Sequence, residues 1–573
     1  MNKNLAKKGS KNREKSAKKE KSAKTIRKKD KKILDKSKKL AKLSKMEKES
    51  EKVERILEHT QSICPECFKE RKIHKINASI VEENGKIWIK KRCEKHGTFK
   101  SIVFNDSRLY YKWIKYKVDG KPIRYKSPKG EVKSIDATPS LGGKLYDLHL
   151  SQAVLTNLMV TNRCNLRCSY CFMNAGASGY VYEPSLEDLK KIMKQAREAK
   201  PVPSKAIQIT GGEPTVRDDL VEIIKAAREL GFRHVQLNTN GLKLAESLEY
   251  CDEIVEAGVN TIYMSFDGVT KNSNPWIEEN KKAIENLRAV DFHSVVLVPV
   301  VTKSNLSEMP EVVKFASRNI DVIRGINFQP ISFCGRLQNV TEDFIEKQRV
   351  DYVDLFKTLE NGLDGQITID DFYPVPFVYP ISKLVEKLKG SEQVEFTAHP
   401  TCGGATYVFV EKQRESIKLI PITRMVDVES LMEFIKDLSK MEGSFLKLRI
   451  ALSFLRNINK YVKEEGKFLK KLLWKALVSG SYEGLREFHY NTLYIGSMWF
   501  QDPWNLDLER LKRCVVHYAT EEGIVPFCSY NGLGIGELLR RKYSIPIEEW
   551  ENKTGRKLED DLWKGGAITQ KLE

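Results

Sequence analysis

The feature that most constrains this chain is a group of three cysteines, Cys164, Cys168 and Cys171, spaced C-x3-C-x2-C. They directly follow an apolar run, residues 154–160, that is predicted to be a strand. Three thiolates this close together can bind one [4Fe-4S] cluster and leave its fourth iron without a protein ligand. A zinc site more often pairs a C-x2-C with a fourth ligand nearby, and none follows Cys171 closely. The spacing therefore favours a cluster with an open iron over zinc or unligated core thiols.

This spacing, with the aromatic Tyr170 just before the third cysteine, resembles the radical S-adenosylmethionine (SAM) superfamily. The resemblance implies that the open iron binds the amino and carboxylate groups of SAM. It also implies that an electron, from a donor such as ferredoxin, cleaves SAM to a 5′-deoxyadenosyl radical that abstracts hydrogen from unactivated carbon. The expected cofactors are therefore SAM and a [4Fe-4S] cluster bound by Cys164, Cys168 and Cys171.

The positive charge of the chain is concentrated in its first residues. The formal net charge is +21, but residues 1–55 alone contain 23 Lys and Arg against 8 Asp and Glu. Residues 1–55 have no aromatic residue and are predicted to be a disordered or fraying helical tail, because they cannot bury enough apolar surface. The tail could be a solubilising extension, or it could bind anionic lipid or nucleic acid. The rest of the chain is nearly neutral and has no RNA-binding signature, so an RNA-binding protein is the weakest reading.

Length and cysteine usage set the broad class of the protein. With 573 residues, two to four domains are expected. Eleven cysteines in motif-like clusters, without an apolar signal peptide or a run of about 18 apolar residues, predict a reducing cytosol and no membrane span. The predicted divisions are the tail 1–55, a metal-binding module 56–150, a barrel 151–340 and an α-rich C-terminal region 341–573.

A second metal site is predicted in the N-terminal module. Its candidate ligands are the pairs Cys64 with Cys67 and Cys93 with His96, joined by a hairpin whose turn is Asn84-Gly85. Three sulfurs and one imidazole suit a tetrahedral mononuclear site, which fits zinc or a rubredoxin-like iron. His96 is the weakest of these ligands, because a lone histidine is often a surface residue.

The central region alternates predicted strands and helices in the manner of a parallel α/β barrel. The predicted strands are residues 154–161, 205–210, 233–238, 260–267, 294–301 and 324–330. Six such βα units predict a partial (β/α)6 TIM-like barrel, which the resemblance identifies with the radical SAM barrel. Functional groups in such barrels lie where the strands end.

Polar residues follow four of these predicted strands. Glycines in Gly211-Gly212-Glu213 allow close approach of the backbone, and the carboxylate of Glu213 could meet an ammonium group. The resemblance implies that this segment binds the amino group of SAM and that the other strand ends contact its ribose, carboxylate, adenine and methionyl parts. The predicted cofactor-binding residues are Gly211, Gly212, Glu213, Asn238, Asn240, Ser265, Asp267 and Gln329. Asn, Asp and Gly are also common after any strand, so an ordinary turn is the alternative for each.

Four more cysteines lie in loops of the C-terminal half or just before it. These candidates for an auxiliary [4Fe-4S] cluster are Cys334, Cys402, Cys514 and Cys528. No tight spacing supports the cluster, so it is predicted from convergence in space. Between these loops, residues 425–480 are predicted to be a helical insertion, and residues 468–478 combine a broad apolar side with lysines and Trp474. Such a helix can lie in a membrane interface, although most amphipathic helices face a core.

The order of these parts, up to His399-Pro-Thr-Cys402-Gly-Gly and the cationic insertion, resembles archaeal tetraether lipid synthases over about residues 60–550. The resemblance implies that the enzyme couples terminal methyl carbons of isoprenoid chains of archaeal diether lipids. It also implies a lipid substrate and a cytoplasmic protein peripheral to the inner face of the membrane. The alternative is a radical SAM methylase of a small heterocycle such as a reduced pterin. A long apolar tunnel would favour the first reading, and a compact polar pocket would favour the second.

Overall fold

A computed structural model of the chain describes residues 54–138, 144–176, 178–412, 416–463, 466, 469–474, 490 and 492–572. The Lys-rich tail therefore lies outside the described residues except for Glu54 and Arg55. An antiparallel sheet comes first, with β1 (Arg55–Ile63), β2 (Lys75–Glu83), β3 (Lys86–Cys93) and β4 (Gly97–Phe104) in that order. Asn84 and Gly85 have φ angles of 54° and 69°, the left-handed backbone that a two-residue hairpin turn requires.

Two helices and a small hairpin complete the N-terminal part. These elements are α1 (Pro65–Lys69), α2 (Ser107–Ile114), β5 (Arg124–Lys126) and β6 (Val132–Ser134). Cys64 caps α1, because its sulfur accepts a bond from the backbone nitrogen of Cys67. The sequence Cys-Pro-Glu-Cys thus forms a tight knuckle that turns both sulfurs to the same side.

The central part contains the predicted parallel strands. They are β7 (Leu155–Met159), β8 (Tyr180–Val181), β9 (Ala206–Thr210), β10 (His234–Thr239), β11 (Thr261–Ser265), β12 (Val295–Val298), β13 (Val300–Val301) and β14 (Ile323–Pro330). All but the short β8 and β13 lie in the parallel order β7-β9-β10-β11-β12-β14. The helices between them are α3 (Leu186–Arg197), α4 (Leu220–Glu229), α5 (Leu242–Glu246), α6 (Leu248–Glu256), α7 (Ile277–Ala289) and α8 (Met309–Arg318).

The C-terminal region adds strands as well as helices. Its strands are β15 (Tyr373–Pro374), β16 (Gly403–Lys412), β17 (Ile417–Pro421), β18 (Thr492–Met498), β19 (Val516–Thr520), β20 (Gly523–Pro526) and β21 (Ile545–Pro546). Strand β18 pairs in parallel with β14, and β19 pairs in parallel with β7. The predicted α/β partial barrel is confirmed, and these two strands extend its parallel sheet from six strands to eight.

The helices of the C-terminal region include a separate cluster. They are α9 (Glu342–Gln348), α10 (Tyr352–Gly362), α11 (Tyr379–Lys389), α12 (Ile422–Met425), α13 (Val428–Lys440), α14 (Leu446–Asn457), α15 (Leu469–Leu473), α16 (Leu508–Lys512), α17 (Phe527–Gly532), α18 (Ile535–Lys542) and α19 (Ile547–Thr554). Helices α13 to α15 form an apolar core distinct from that of the barrel.

The cationic segment predicted at residues 468–478 lies partly outside the described residues. In its described part, Leu469 and Leu473 are buried against α13 and α14, so these apolar side chains face the protein. Contact of the insertion with a membrane stays a prediction. Among the described residues, no helix has the length and apolar character needed to cross a membrane.

Candidate active site

The three cysteines of the central motif line one cavity of about 280 Å³ at the carboxyl ends of the parallel strands. The backbone nitrogen of Leu166 lies 3.4 Å from the sulfur of Cys164, and that of Ala175 lies 3.5 Å from the sulfur of Cys171. Burial raises the pKa of the Cys164 thiol to about 12, so thiolates at this site need the positive charge of a metal to be stable. Half-buried sulfurs with backbone N–H donors on a shared cavity fit the ligands of an iron–sulfur cluster.

Strand β9 leads the predicted Gly-Gly-Glu segment into this cavity. A Cβ on Gly211 would lie 2.6 Å from the carbonyl oxygen of Thr161, and one on Gly212 would lie 2.2 Å from that of Arg163. The glycines are therefore required because the end of β9 packs directly on the backbone that precedes Cys164. This backbone contact explains the two glycines directly, whereas the expectation from the sequence was that they allow a ligand to approach.

Glu213 is buried and already bonded within the protein. Its Oε1 accepts bonds from Thr215 and from Thr239 Oγ1, and its Oε2 accepts a bond from the backbone nitrogen of Asn240 at 2.7 Å. Burial raises the pKa of this carboxyl group, which four donors partly offset. Because Oε2 accepts only this one bond among the described residues, it can still accept a second from a ligand in the cavity.

The other predicted cofactor-binding residues line the same cavity, namely Asn238, Asn240, Ser265, Asp267 and Gln329. Asp267 accepts a bond from the backbone nitrogen of Val300 at 2.6 Å and one from the hydroxyl of Tyr170 at 2.5 Å. Burial raises the pKa of Asp267 to about 6. The structure thus places these side chains beside the three cysteines, and their individual contacts with SAM stay predictions.

Part of the cavity wall was not identified from the sequence. It is formed by the two added strands and the segments that follow them, through Tyr494, Met498, Phe500, Val516, Tyr518 and Phe527. Deeper in the barrel lie Gln208, Tyr263 and Asn327. Asn327 is 7% exposed, and its Oδ1 has no hydrogen-bond partner among the described residues. Buried polar groups without a partner are rare, so a hydrogen-bond donor is missing at this amide oxygen on the cavity wall.

Residues 563–572 cover the outer side of the cysteine loop, which the sequence also did not predict. The backbone nitrogens of Arg167 and Ser169 donate to the carbonyl oxygens of Ile568 and Gln570 at 2.6 and 3.0 Å. The side chain of Gln570 meets the hydroxyl of Tyr170 and is 6% exposed. This segment therefore separates the cysteine loop from solvent.

The N-terminal cysteines and histidine form a compact ligand set. The ligand atoms of Cys64, Cys67, Cys93 and His96 all lie within 4.8 Å of one another. His96 Nδ1 lies 3.4, 3.5 and 3.8 Å from the three sulfurs, a spacing that suits one tetrahedral ion. His74 Nδ1 lies 3.6 Å from the sulfur of Cys67, so a second histidine that the sequence did not single out also borders the site.

The four remaining candidate cysteines do not line the SAM cavity. Cys402, Cys514 and Cys528 are neighbours of one another: burial, followed by the charges of the other two, raises the pKa of Cys514, and burial raises the pKa of Cys528 to about 11. Cys334 lies on the turn after β14, where burial, followed by the charges of Asp502 and Cys528, raises the pKa of its thiol. Cys528 is thus within electrostatic range of each of the other three, and the auxiliary cluster itself stays a prediction.

Comparison with known families identifies the class of protein. The model of the radical SAM superfamily matches residues 158–316, and the model of the HMPTM N-terminal zinc ribbon domain matches residues 56–105. This fold and site therefore define a radical SAM enzyme with SAM and a [4Fe-4S] cluster as its cofactors, preceded by a zinc ribbon.

A relative identifies the family more closely. The 7,8-dihydro-6-hydroxymethylpterin dimethyltransferase of Methanocaldococcus jannaschii is 43% identical over 523 residues, which cover 88% of this chain and 98% of the relative. The chain belongs to the family of this relative. A probable GTP 3′,8-cyclase of Saccharolobus islandicus is 32% identical over 239 residues, 40% of this chain and 73% of that protein. The solved coproporphyrinogen III oxidase of Escherichia coli superposes with a TM-score of 0.29 at 12% identity, over 58% of this chain and 91% of that one.

These findings correct the function expected from the sequence. The main expectation, coupling of isoprenoid chains of archaeal diether lipids, is overturned by a relative that spans nearly the whole chain and is named a pterin dimethyltransferase. The resemblance to tetraether lipid synthases is not confirmed. The physical reason for the error is that the recognised motifs indicate the radical SAM class, which enzymes with different substrates share, and carry no signal for the substrate.

Proposed function

We propose that this protein is a radical SAM methyltransferase that acts on a reduced pterin of the 7,8-dihydro-6-hydroxymethylpterin type. The observation that carries the proposal is the 43% identity, over 98% of its length, to a dimethyltransferase named for that substrate. It agrees with the second of the two readings that the sequence leaves open.

The cavity supports a small heterocyclic substrate. The cavity of about 280 Å³ is shared with the proposed positions of SAM and the cluster, which favours a compact substrate over two isoprenoid chains. The part formed by β18, β19 and α17 offers the aromatic rings of Tyr494, Tyr518 and Phe527, on which a planar ring can stack. Gln208 and Asn327 offer amides to the polar edge of such a ring. This is the compact, partly polar pocket expected for a heterocycle.

We assign SAM and the pterin to different parts of the cavity wall. Bound SAM and the cluster supply a 5′-deoxyadenosyl radical, which is able to activate a C–H bond that acid–base chemistry does not. In this proposal, the residues around Glu213 and Asp267 orient SAM. The residues of β18 and β19 bind the pterin and hold it next to SAM. Residues 563–572 cover the cysteine loop and exclude water from it, which protects a radical from premature quenching.

The remaining metal sites are assigned supporting roles. The set Cys64, Cys67, Cys93 and His96 fills all four positions of a tetrahedral zinc and leaves no substrate position, so the site is structural. We infer that Cys402, Cys514 and Cys528 bind the predicted auxiliary cluster, because these partly or fully buried thiols come from separate segments and lie within electrostatic range of one another. Iron–sulfur clusters are commonly held by such cysteine sets.

Production of the protein in a bacterial host that makes 7,8-dihydro-6-hydroxymethylpterin tests the proposal. Mass spectrometry of the extracted pterins should show species with one and two added methyl groups. A variant with Cys164, Cys168 and Cys171 replaced by alanine should show neither. Growth with methionine labelled in its methyl group shows whether SAM supplies the added carbon. An unmethylated pterin pool in cells that contain the iron-loaded protein would refute the proposal.

A further inference from the structure

The turn that follows β14 is pressed against the cysteine loop. Gly335 has a φ of 59°, and a Cβ on it would lie 2.3 Å from the carbonyl oxygen of Phe172 and 2.6 Å from that of Cys171. Only glycine fits this backbone and this contact. The turn therefore reaches the loop at main-chain distance, immediately after the third cysteine.

The next residue, Arg336, directs every nitrogen of its guanidinium to the loop. Its Nη1 donates to the carbonyl oxygen of Cys168 at 2.5 Å, its Nη2 donates to that of Ala175, and its Nε donates to Asn174 Oδ1 at 3.0 Å. Its backbone nitrogen donates to the carbonyl oxygen of Cys171 at 3.1 Å. One residue from a distant part of the chain thus binds four acceptors between residues 168 and 175.

We propose that Arg336 is the positioning residue that fixes the cysteine loop in the conformation that binds the SAM-cleaving cluster. The planar guanidinium presents donors in a fixed fork, so it can hold three acceptors at once and in one relative orientation. A lysine ammonium is a point charge and cannot reach the same three positions. All three nitrogens of the side chain donate to the loop, so we assign Arg336 a positioning role through the loop at the edge of the cavity that it borders.

A matched arginine lies at the opposite end of the sheet. Arg324, at the start of β14, donates to the carbonyl oxygens of His293, Tyr490 and Asp321 at 3.0, 2.9 and 3.2 Å. Its environment is half-buried, as is that of Arg336. R324K therefore removes a comparable set of three guanidinium hydrogen bonds at the other end of β14, away from the cavity.

The test compares R336K and R324K with the wild-type enzyme after anaerobic reconstitution with iron and sulfide. The readout is the part of the electron paramagnetic resonance spectrum of the reduced protein that changes when SAM is added, because only a cluster with an open iron responds to SAM. The loss of this SAM-dependent signal is followed over time after an iron(II) chelator is added. Loss of one or two hydrogen bonds should make the decay of R336K about 5- to 30-fold faster than that of wild type.

R324K should retain the SAM-responsive signal as long as the wild-type enzyme does. The apo-forms of R336K and R324K should have thermal midpoints of unfolding similar to each other. R336Q, which removes the charge and the fork but is smaller, is the second variant if R336K does not fold, and it should also lose the signal faster. Wild-type persistence of the signal in R336K or R336Q would overturn the proposal. Equal acceleration in R324K would also overturn it, because the effect would then reflect general destabilisation.

Discussion

Replacement of Asn327 by leucine should have opposite effects on protein stability and on substrate binding. Asn327 is 7% exposed, and its amide oxygen has no partner among the described residues. An unpaired buried polar group costs about 1–3 kcal/mol. Leucine has a similar size and no polar atom, so N327L should raise the free energy of unfolding of the apo-protein by about 1–3 kcal/mol.

The same substitution removes the acceptor proposed to bind an N–H group of the pterin. Loss of that bond should weaken pterin binding by roughly 5- to 150-fold, which is the equivalent of about 1–3 kcal/mol. Anaerobic calorimetric titration with 7,8-dihydro-6-hydroxymethylpterin, with and without SAM, measures the binding. Titration with SAM alone shows whether the amide instead serves the cofactor. Chemical denaturation of the apo-protein measures the stability.

Asn286 provides the control, because it is a buried asparagine whose amide nitrogen donates to the carbonyl oxygens of Leu244 and Ala245 at 2.8 and 3.2 Å. N286L breaks satisfied bonds away from the cavity, so it should lower stability and leave pterin affinity unchanged. The reasoning would be refuted if N327L destabilised the apo-protein as N286L does. It would also be refuted if N327L bound the pterin as tightly as the wild-type protein.

Three further substitutions test separate parts of the account. G212A places a Cβ 2.2 Å from the carbonyl oxygen of Arg163 and should displace the cysteine loop. The SAM-responsive cluster signal should then be lost, and a full signal would contradict the packing argument. C93S should lower the zinc content by one ion per chain and reduce the thermal midpoint, since metal binding contributes to folding there; unchanged zinc would remove Cys93 from the ligand set. Burial lowers the pKa of Lys91 to about 7, so the folded state binds fewer protons than the unfolded state up to pH about 10.5 and stability should rise with pH across that window. K91M should abolish this rise of the thermal midpoint with pH. If K91M and the wild-type protein showed the same pH dependence, Lys91 would not be its cause.

The sequence predicted the central barrel well because local signals there agree with the tertiary structure. The apolar runs that lead into Cys164, Gly211 and Asn238 form β7, β9 and β10 with close to the predicted bounds. Parallel strands covered on both faces are nearly continuous apolar segments, so they can be recognised without knowledge of their partners. The placement of the predicted SAM-binding residues on one cavity follows from the rule that functional groups lie at strand ends.

The substrate side of the cavity could not be predicted because it depends on pairing between distant segments. Strands β18 and β19 lie in a region that was predicted to be α-rich, yet they flank β14 and β7 and bring Tyr494 and Tyr518 into the cavity. Nothing in their local composition specifies these neighbours. The contacts of Arg336 and of residues 563–572 with the cysteine loop are likewise long-range and have no sequence signature. The lipid substrate was wrongly expected for a related reason, since the recognisable motifs belong to the radical SAM superfamily and do not specify the substrate.

The most direct test of the central claim uses the purified enzyme with its clusters reconstituted, a strong reductant, SAM and 7,8-dihydro-6-hydroxymethylpterin under anaerobic conditions. A host extract from which free pterins have been removed, with its reduced folates retained, is added as the source of any additional one-carbon donor. Chromatography with mass detection follows 5′-deoxyadenosine and the pterin in the same samples. The account predicts that 5′-deoxyadenosine forms faster when the pterin is present and that the pterin gains first one and then a second methyl group. Formation of 5′-deoxyadenosine at a rate independent of the pterin, with the pterin recovered unchanged, would contradict it.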